Sequence, residues 1–370
     1  MLNNIFAASP KSAFAGLAAL LFAGSAAALD CGSNNGWVCQ GSQTQYAGGF
    51  NPGVGNGGFG GGSCTASKTP VIFIHGNGDN AISWDMPPGN VSGYTTPPRS
   101  VYDEMKARGY NDCELFGVTY LSSSEQSAAQ YNYHSSSKYS IIKTFIDKVK
   151  AYTGKSQVDI VTHSMGVSMT LASLQYYGNW SSVRKFINIA GGVRGLYSCY
   201  YTGYANAYAT TCGSQNIYNS YTFGFFPEGW YYGVWVTNNW TGSGTSKSLR
   251  QMPQNHTSVS FYTIAAGFKD QVACATASFW AGCDQGAKFS STTSNVKAQL
   301  NIGAGSNAAQ ADYNWKDGMP YNAGGGDTSN GVGHFRAKNN SGTIIQRMLL
   351  TTCTGTDCAA DYSYGPKTTY

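Results

Sequence analysis

Compact apolar runs punctuated by glycine set the first reading of this chain. Val71-Ile72-Phe73-Ile74 is uniformly apolar and runs into His75-Gly76-Asn77-Gly78. A short run without alternation predicts a strand covered on both faces. Similar runs lie around 114–120, at Val158-Asp159-Ile160-Val161, at Phe186-Ile187-Asn188-Ile189-Ala190, at 259–265 and at 296–302. Between them the period changes. Residues 138–152 place Ile141, Ile142, Phe145, Ile146 and Val149 on one helical face, with Lys143, Lys148 and Lys150 mostly elsewhere, and Gly154 is the expected stop. Further helices are expected over 99–109, from Met165 to about Tyr177, and over 342–350. Strands separated by helices predict an α/β chain, with a mostly parallel central sheet covered by helices on both faces. Residues 31–69 are rich in Gly, Asn, Ser and Thr and are read as loop. No internal repeat is visible.

Two regions stand outside this rhythm. Lys11 precedes the apolar run Ala13–Ala23, and Gly24-Ser25-Ala26-Ala27-Ala28 follows. That order predicts a secretory signal over 1–28, cleaved after Ala28, with a run too short to span a bilayer. Residues 29–370 are then expected to form a single catalytic domain. The other region, about 197–240, is crowded with aromatics from Tyr197 to Trp240, interleaved with Gly and Asn and without clean periodicity. It is read as an insertion between sheet strands, where such folds carry functional loops.

All ten cysteines follow the expected cleavage point, an even number suited to disulfides in an exported chain. Short loops would join Cys31 to Cys39, Cys199 to Cys212, Cys274 to Cys283 and Cys353 to Cys358, leaving Cys64 for Cys113. The cysteines form no CxxC pair and the five histidines are scattered, so no metal is expected. Charged residues make up 11% of the chain and the net charge is +5, without a basic cluster, which argues against nucleic acid as a partner. A neutral substrate suits this surface.

The chemistry centres on Thr162-His163-Ser164-Met165-Gly166, between a predicted strand and a predicted helix. A nucleophile elbow needs that context, because its sharp turn lifts the serine Oγ above the sheet edge. The bland alternative is a serine that caps the helix. The motif ordinarily begins with glycine, and Thr162 stands there instead. A serine nucleophile needs a histidine base and a carboxylate to orient it, in the chain order Ser, Asp/Glu, His. Downstream lie His256, before a strand and at its wrong end, and His334, in Gly331-Val332-Gly333-His334-Phe335. His334 is the expected base. Asp270, just past the strand at 259–265, is the expected acid, with Asp284 and Asp327 as rivals. The Met165 and Asn77 amides are the expected oxyanion donors, and His75 is expected to hold its loop by a side-chain hydrogen bond. Ser164 would attack an ester carbonyl, and water would resolve the acyl-enzyme without metal or other cofactor.

The stretches TPVIFIHGNGDNAIS (69–83), VTYLSSSEQ (118–126), QVDIVTHSMGVSM (157–169), SCYYTGYANA (198–207), YTFGFFPEGWYYGVWV (221–236) and GVGHF (331–335) carry a resemblance over essentially the whole mature chain. It is to the extracellular poly(3-hydroxybutyrate) depolymerases that attack native, amorphous polymer, an α/β-hydrolase type related to bacterial lipases. The resemblance implies Ser164, Asp270 and His334 as nucleophile, acid and base, and the Asn77 and Met165 amides as the oxyanion hole. It implies a secreted enzyme whose partner is a hydrophobic polyester surface, met by aromatics near the cleft with no separate binding domain. Tyr133, Tyr204 and Trp235 are candidate contacts. No integral membrane segment is expected in the mature chain, and a monomer is expected. A triacylglycerol lipase or general carboxylesterase would use the same triad, and a non-catalytic surface binder on the same fold would lack turnover.

Overall fold

The computed structural model describes Leu29 and residues 44–86, 88, 95–132, 134–193, 229–231, 234–236, 252–274, 283–289, 293–303 and 332–370. Strands are β1 (Thr44–Tyr46), β2 (Gly58–Gly60), β3 (Val71–Ile74), β4 (Leu115–Val118), β5 (Val158–His163), β6 (Val183–Ile189), β7 (Gly229–Tyr231), β8 (Val234–Val236), β9 (Ser260–Ala265), β10 (Val296–Asn301) and β11 (Thr368–Thr369). Helices are α1 (Val101–Ala107), α2 (Ser123–Ser127), α3 (Ser136–Thr153), α4 (Met165–Tyr177), α5 (Met252–Asn255), α6 (Gln271–Cys274), α7 (His334–Asn339) and α8 (Gly342–Leu350).

One sheet runs in the order β1-β2-β4-β3-β5-β6-β9-β10-β11. The six strands from β4 to β10 in this order are parallel to their neighbours, while β2 against β4 and β11 against β10 are antiparallel. Alternate residues of each strand serve different layers. Val71 and Phe73 of β3, with Ile187, Ile189, Ile264 and Leu300, pack on Met105 of α1 and Ile345 and Met348 of α8. Ile72 and Ile74, with Ile160, Phe186 and Phe261, pack on Phe145, Ile146 and Val149 of α3 and Leu171 and Leu174 of α4. Burial on both faces is why these runs lack alternating polar positions. The sheet is therefore mostly parallel and covered on both sides, as in the α/β-hydrolase fold.

Local signals explain the element ends. Ser100 accepts the Asp103 amide at the start of α1, and Gly154 closes α3 at φ +70°. The loop expected over 31–69 was only partly right. It contains β1 and β2, which extend one sheet edge, and Gly58 and Gly60 take φ of +138° and +140°. A Cβ on Gly58 would lie 2.1 Å from the Gly117 carbonyl oxygen, so only glycine fits this edge.

Of the five expected disulfides, Cys64–Cys113 and Cys353–Cys358 are present. The Cys31–Cys39, Cys199–Cys212 and Cys274–Cys283 pairings involve positions or side chains outside the described residues, as does the 1–28 segment. In the aromatic block the described part is a β7–β8 hairpin. No helix among the described residues is long and apolar enough to cross a membrane.

Candidate active site

The parallel strands deliver the site residues to one edge of the sheet, where β3, β5 and β9 give way to their following segments. At the end of β5 the chain turns sharply into α4. Ser164 occupies the turn at φ 53° and ψ −128°, a sparsely populated conformation that costs about 1–3 kcal/mol. Its amide donates to the Ile189 carbonyl at 2.9 Å, which pins the turn to β6. Ser164 sits at the N-cap of α4 but makes no side-chain capping bond, so the helix-cap alternative does not hold. Gly166 is required by close approach: a Cβ there would lie 2.3 Å from the His75 carbonyl oxygen. Thr162 fits without glycine in its place. It is fully buried, and its hydroxyl donates to the Ile187 carbonyl at 2.8 Å.

The side chain of Ser164 meets His334 instead. Oγ lies 2.9 Å from His334 Nε2, and His334 Nδ1 lies 2.9 and 3.0 Å from the two carboxylate oxygens of Asp270. Asp270 is held by the Val272 and Ala273 amides, which donate to Oδ1 at 3.1 and 2.9 Å. Of the rival acids, Asp284 bonds the Gln285 side chain, and Asp327 lies outside the described residues. His256 is stacked on Trp180 with ring centroids 3.8 Å apart, away from Ser164. His334 was expected in a glycine-rich loop. It is in fact the first residue of α7, and its backbone is fixed twice: its amide donates to Gln271 Oε1 at 2.8 Å, and its carbonyl accepts His163 Nε2 at 3.0 Å.

That second bond identifies the state of His163. A carbonyl only accepts, so Nε2 carries the proton. Burial, together with the nearby His334, holds the His163 imidazole well below its ordinary pKa, and the ring is neutral. Neither Gln271 nor His163 was given a role from sequence. Their adjacency to Asp270 and Ser164 was the available signal.

The loop after β3 abuts the serine: a Cβ on Gly76 would lie 3.0 Å from Ser164 Cβ. His75 holds this loop, as its side chain was expected to. Its Nε2 accepts the Tyr120 amide at 3.2 Å, so Nδ1 carries hydrogen and donates to the Gly76 carbonyl at 2.8 Å. The Gly76–Asn77 peptide is trans, so the Asn77 N–H is turned opposite to that carbonyl and away from His75. The Asn77 side chain is anchored from both ends, donating to the Ala129 carbonyl at 2.9 Å and accepting from Asn132 at 2.6 Å. Met165 opens α4, and its amide, in the first turn, has no intrahelical acceptor. The Met165 amide thus follows the serine directly, and the Gly76–Asn77 peptide belongs to the loop that abuts it. Tyr133 and Tyr204 lie outside the described residues, and only the backbone of Trp235 is described. Among the described residues, no group of three His, Cys, Asp or Glu side chains could hold a metal ion.

Burial pushes the His75 pKa down to about 4, with Asp79 opposing. Between pH 6.5 and 4 the unfolded chain binds a proton at this position and the native protein does not. Stability therefore rises with pH across this window, and is lost as pH falls from 6.5 to 4. For His75 the loss is about 3 kcal/mol, and His163 acts in the same direction. Urea unfolding followed by circular dichroism at pH 7 and pH 4.5 checks this. A midpoint that does not fall at the lower pH contradicts the burial of neutral imidazoles.

A Ser–His–Asp chain at the carboxyl edge of a parallel α/β sheet, its histidine and aspartate buried and its serine partly exposed, defines a lipase- or esterase-type serine hydrolase of the α/β-hydrolase class. The chain belongs to the class 2 lipase family, whose sequence model matches residues 68–280, more than half of the protein. Solved structures similar to it include a Bacillus licheniformis lipase, BlEst2, in its propeptide form, with 14% identity and a TM-score of 0.36, covering 56% of this chain and 38% of that one. The mature form of that lipase has 15% identity and a TM-score of 0.35, with 56% and 69% covered. Naproxen esterase from Bacillus subtilis has 10% identity and a TM-score of 0.27, with 56% and 67% covered. The match thus spans well under half of the propeptide-form lipase. No curated protein matches the sequence significantly.

Proposed function

We propose that the protein is a secreted serine esterase that hydrolyses amorphous poly(3-hydroxybutyrate), or a related short-chain polyhydroxyalkanoate, to oligomers and monomer through an acyl-enzyme on Ser164. The observation that carries ester hydrolysis is the hydrogen-bonded sequence from Ser164 Oγ through His334 to Asp270. His334 Nε2 takes the serine proton as Oγ attacks the ester carbonyl. The Asn77 and Met165 amides receive the developing oxyanion, and the same imidazole then protonates the departing alkoxide. Water, activated by His334, releases the acyl group.

The polyester substrate is supported by the resemblance along the mature chain and by the aromatic block over about 197–240. Aromatic side chains offer large apolar area at modest entropic cost, which suits a polymer surface. Tyr133, Tyr204 and Trp235 are the proposed contacts. The Ala-rich segment over 1–28 supports export, with residues 29–370 working as one catalytic domain and as a monomer. The family match favours a second reading, a triacylglycerol lipase.

Turbidity of an amorphous polymer granule suspension, and fatty acid release from a triglyceride emulsion, separate the two. The granules are expected to clear with release of 3-hydroxybutyrate oligomers, while triglyceride is attacked weakly. Rapid fatty acid release with unchanged turbidity would establish the lipase and remove the polyester reading.

A further inference from the structure

The helix that carries His334 is tied to the loop that follows β3 by a buried cation. Lys338 stands one turn after His334, so both side chains leave the same face of α7. Lys338 is 2% exposed. Its Nζ lies 3.0 Å from Asp79 Oδ2, 2.8 Å from Ser83 Oγ and 3.4 Å from the Ser83 carbonyl oxygen. It also lies 5.3 Å from the centroid of the Trp84 ring. Asp79 is itself fixed, since Oδ1 accepts the Asn80 amide and Oδ2 accepts the Ser83 hydroxyl, both at 2.8 Å. Asp79 lies two residues beyond Asn77, in the loop whose Gly76 abuts Ser164.

A buried ammonium is costly to desolvate, and an apolar side chain of similar length would fill the same space at no such cost. The pair therefore contributes geometry more than cohesion. Residues Asp79 and Ser83 belong to the segment that presents the Asn77 amide, and Lys338 belongs to the helix that presents His334. We infer that Lys338 and Asp79 are positioning residues that hold the oxyanion loop in register with the histidine base. The inference rests on the reading of Ser164 as the nucleophile. The oxyanion forms between two separately supported parts, the loop and α7. A fixed link across them keeps the donors and the base aligned on one reacting carbon.

The bonding has a second effect in the same direction. The Lys338 charge disfavours protonation of both His75 and His163, the two neutral rings that hold the loop and the His334 carbonyl, though burial is the larger cause in each. Burial would raise the Asp79 carboxyl, but the Lys338 charge and the Ser83 and Asn80 hydrogen bonds hold it below its ordinary value. Asp79 is therefore ionised wherever the enzyme works.

The test uses the full-length protein with p-nitrophenyl butyrate as substrate and butylboronic acid as a tetrahedral-adduct probe, on the variants Lys338→Met, Asp79→Asn, Lys338→Arg, the Lys338→Met/Asp79→Asn double and Ser164→Ala. Lys338→Met and Asp79→Asn are each expected to lower kcat by roughly 10- to 100-fold, the range for a misplaced donor, and to leave KM within about twofold. Boronate affinity should fall in parallel with kcat. The double variant should be no slower than the worse single, because the two residues act as one unit. Lys338→Arg should restore part of kcat. Loss of thermal stability with kcat and boronate affinity at the wild-type level would overturn the inference, as would losses that multiply in the double variant. Should Lys338→Met not fold, Asp79→Asn decides, being near-isosteric at a position whose side chain is 22% exposed. Ser164→Ala separates the two failures. An active Ser164→Ala overturns both readings, whereas an inactive Ser164→Ala beside a fully active Asp79→Asn overturns the positioning pair alone.

Discussion

Replacing Ser164 by alanine lowers ester turnover by about 10⁴- to 10⁶-fold, the range seen when a nucleophile that acts in concert with its base is removed. The structure makes this an unusually clean variant. The serine side chain makes no capping bond to α4, and its bond to His334 Nε2, at 2.9 Å, is its hydrogen bond to the base. Alanine therefore removes the reacting oxygen with little structural support. The backbone strain at φ 53° is retained, because both residues carry a Cβ, so thermal stability should stay near wild type. On the proposed polyester reading, the variant should still sediment with polymer granules. Residual rate above background would come from the proposed oxyanion amides and from substrate binding. The check is kcat on a soluble short-chain ester, with sedimentation of granules for binding. A variant that keeps more than about a tenth of kcat would remove Ser164 from the mechanism.

The parts of this molecule that were legible beforehand share one property: their chemistry is local in sequence. Val71-Ile72-Phe73-Ile74, and Phe186–Ile189 apart from Asn188, are apolar on both sides because both faces of the sheet are covered. The elbow was visible because strand, serine, Gly166 and helix follow one another without interruption. Asp270 followed from its place just beyond β9, and His334 from the scarcity of histidines. What stayed hidden depends on distant partners. The edge strands β1 and β2 look like loop because Gly58 and Gly60 adopt backbone angles open to glycine, and the packing that justifies them comes from Gly117 and Phe116 of β4. Helix α7 was missed because Arg336 and Lys338 give it a solvent-like pattern, although both are buried. Lys338 is inside only because Asp79 and Ser83, far away in sequence, receive it. By contrast, α2 carries a capping box, Ser122 with Glu125, whose signal lies within four residues of sequence, yet it is not among the helices expected from the hydrophobic pattern because none of its residues is buried. The triad residues were therefore easier to find than the residues that hold them.

Asp270→Asn should lower kcat by about 10⁴-fold at neutral pH, and the reason lies in how the carboxylate is held. Oδ1 accepts the Val272 and Ala273 amides as well as His334 Nδ1, while Oδ2 faces Nδ1 at 3.0 Å. In asparagine the oxygen must stay on the two backbone amides, since an NH₂ group placed there would face two donors. The side-chain NH₂ then occupies the Oδ2 position and donates to Nδ1. An imidazole that accepts at Nδ1 carries its hydrogen at Nε2, where it donates to Ser164 and cannot take the serine proton. Asparagine caps a turn about as well as aspartate. A residue that merely ended β9 and started α6 would therefore tolerate the change, and the same substitution distinguishes the two roles. Asp284 provides the internal control. It lines a small cavity together with Asp270, and burial pushes its carboxyl up, which makes it a poor partner for an imidazolium. Asp284→Asn should leave kcat within about threefold of wild type, because Asp284 bonds the Gln285 side chain and not the His334 imidazole. Thermal unfolding of both variants, measured beside kcat, shows whether each remains folded. If Asp284→Asn were the inactive variant and Asp270→Asn the active one, the acid of this site would have to be reassigned.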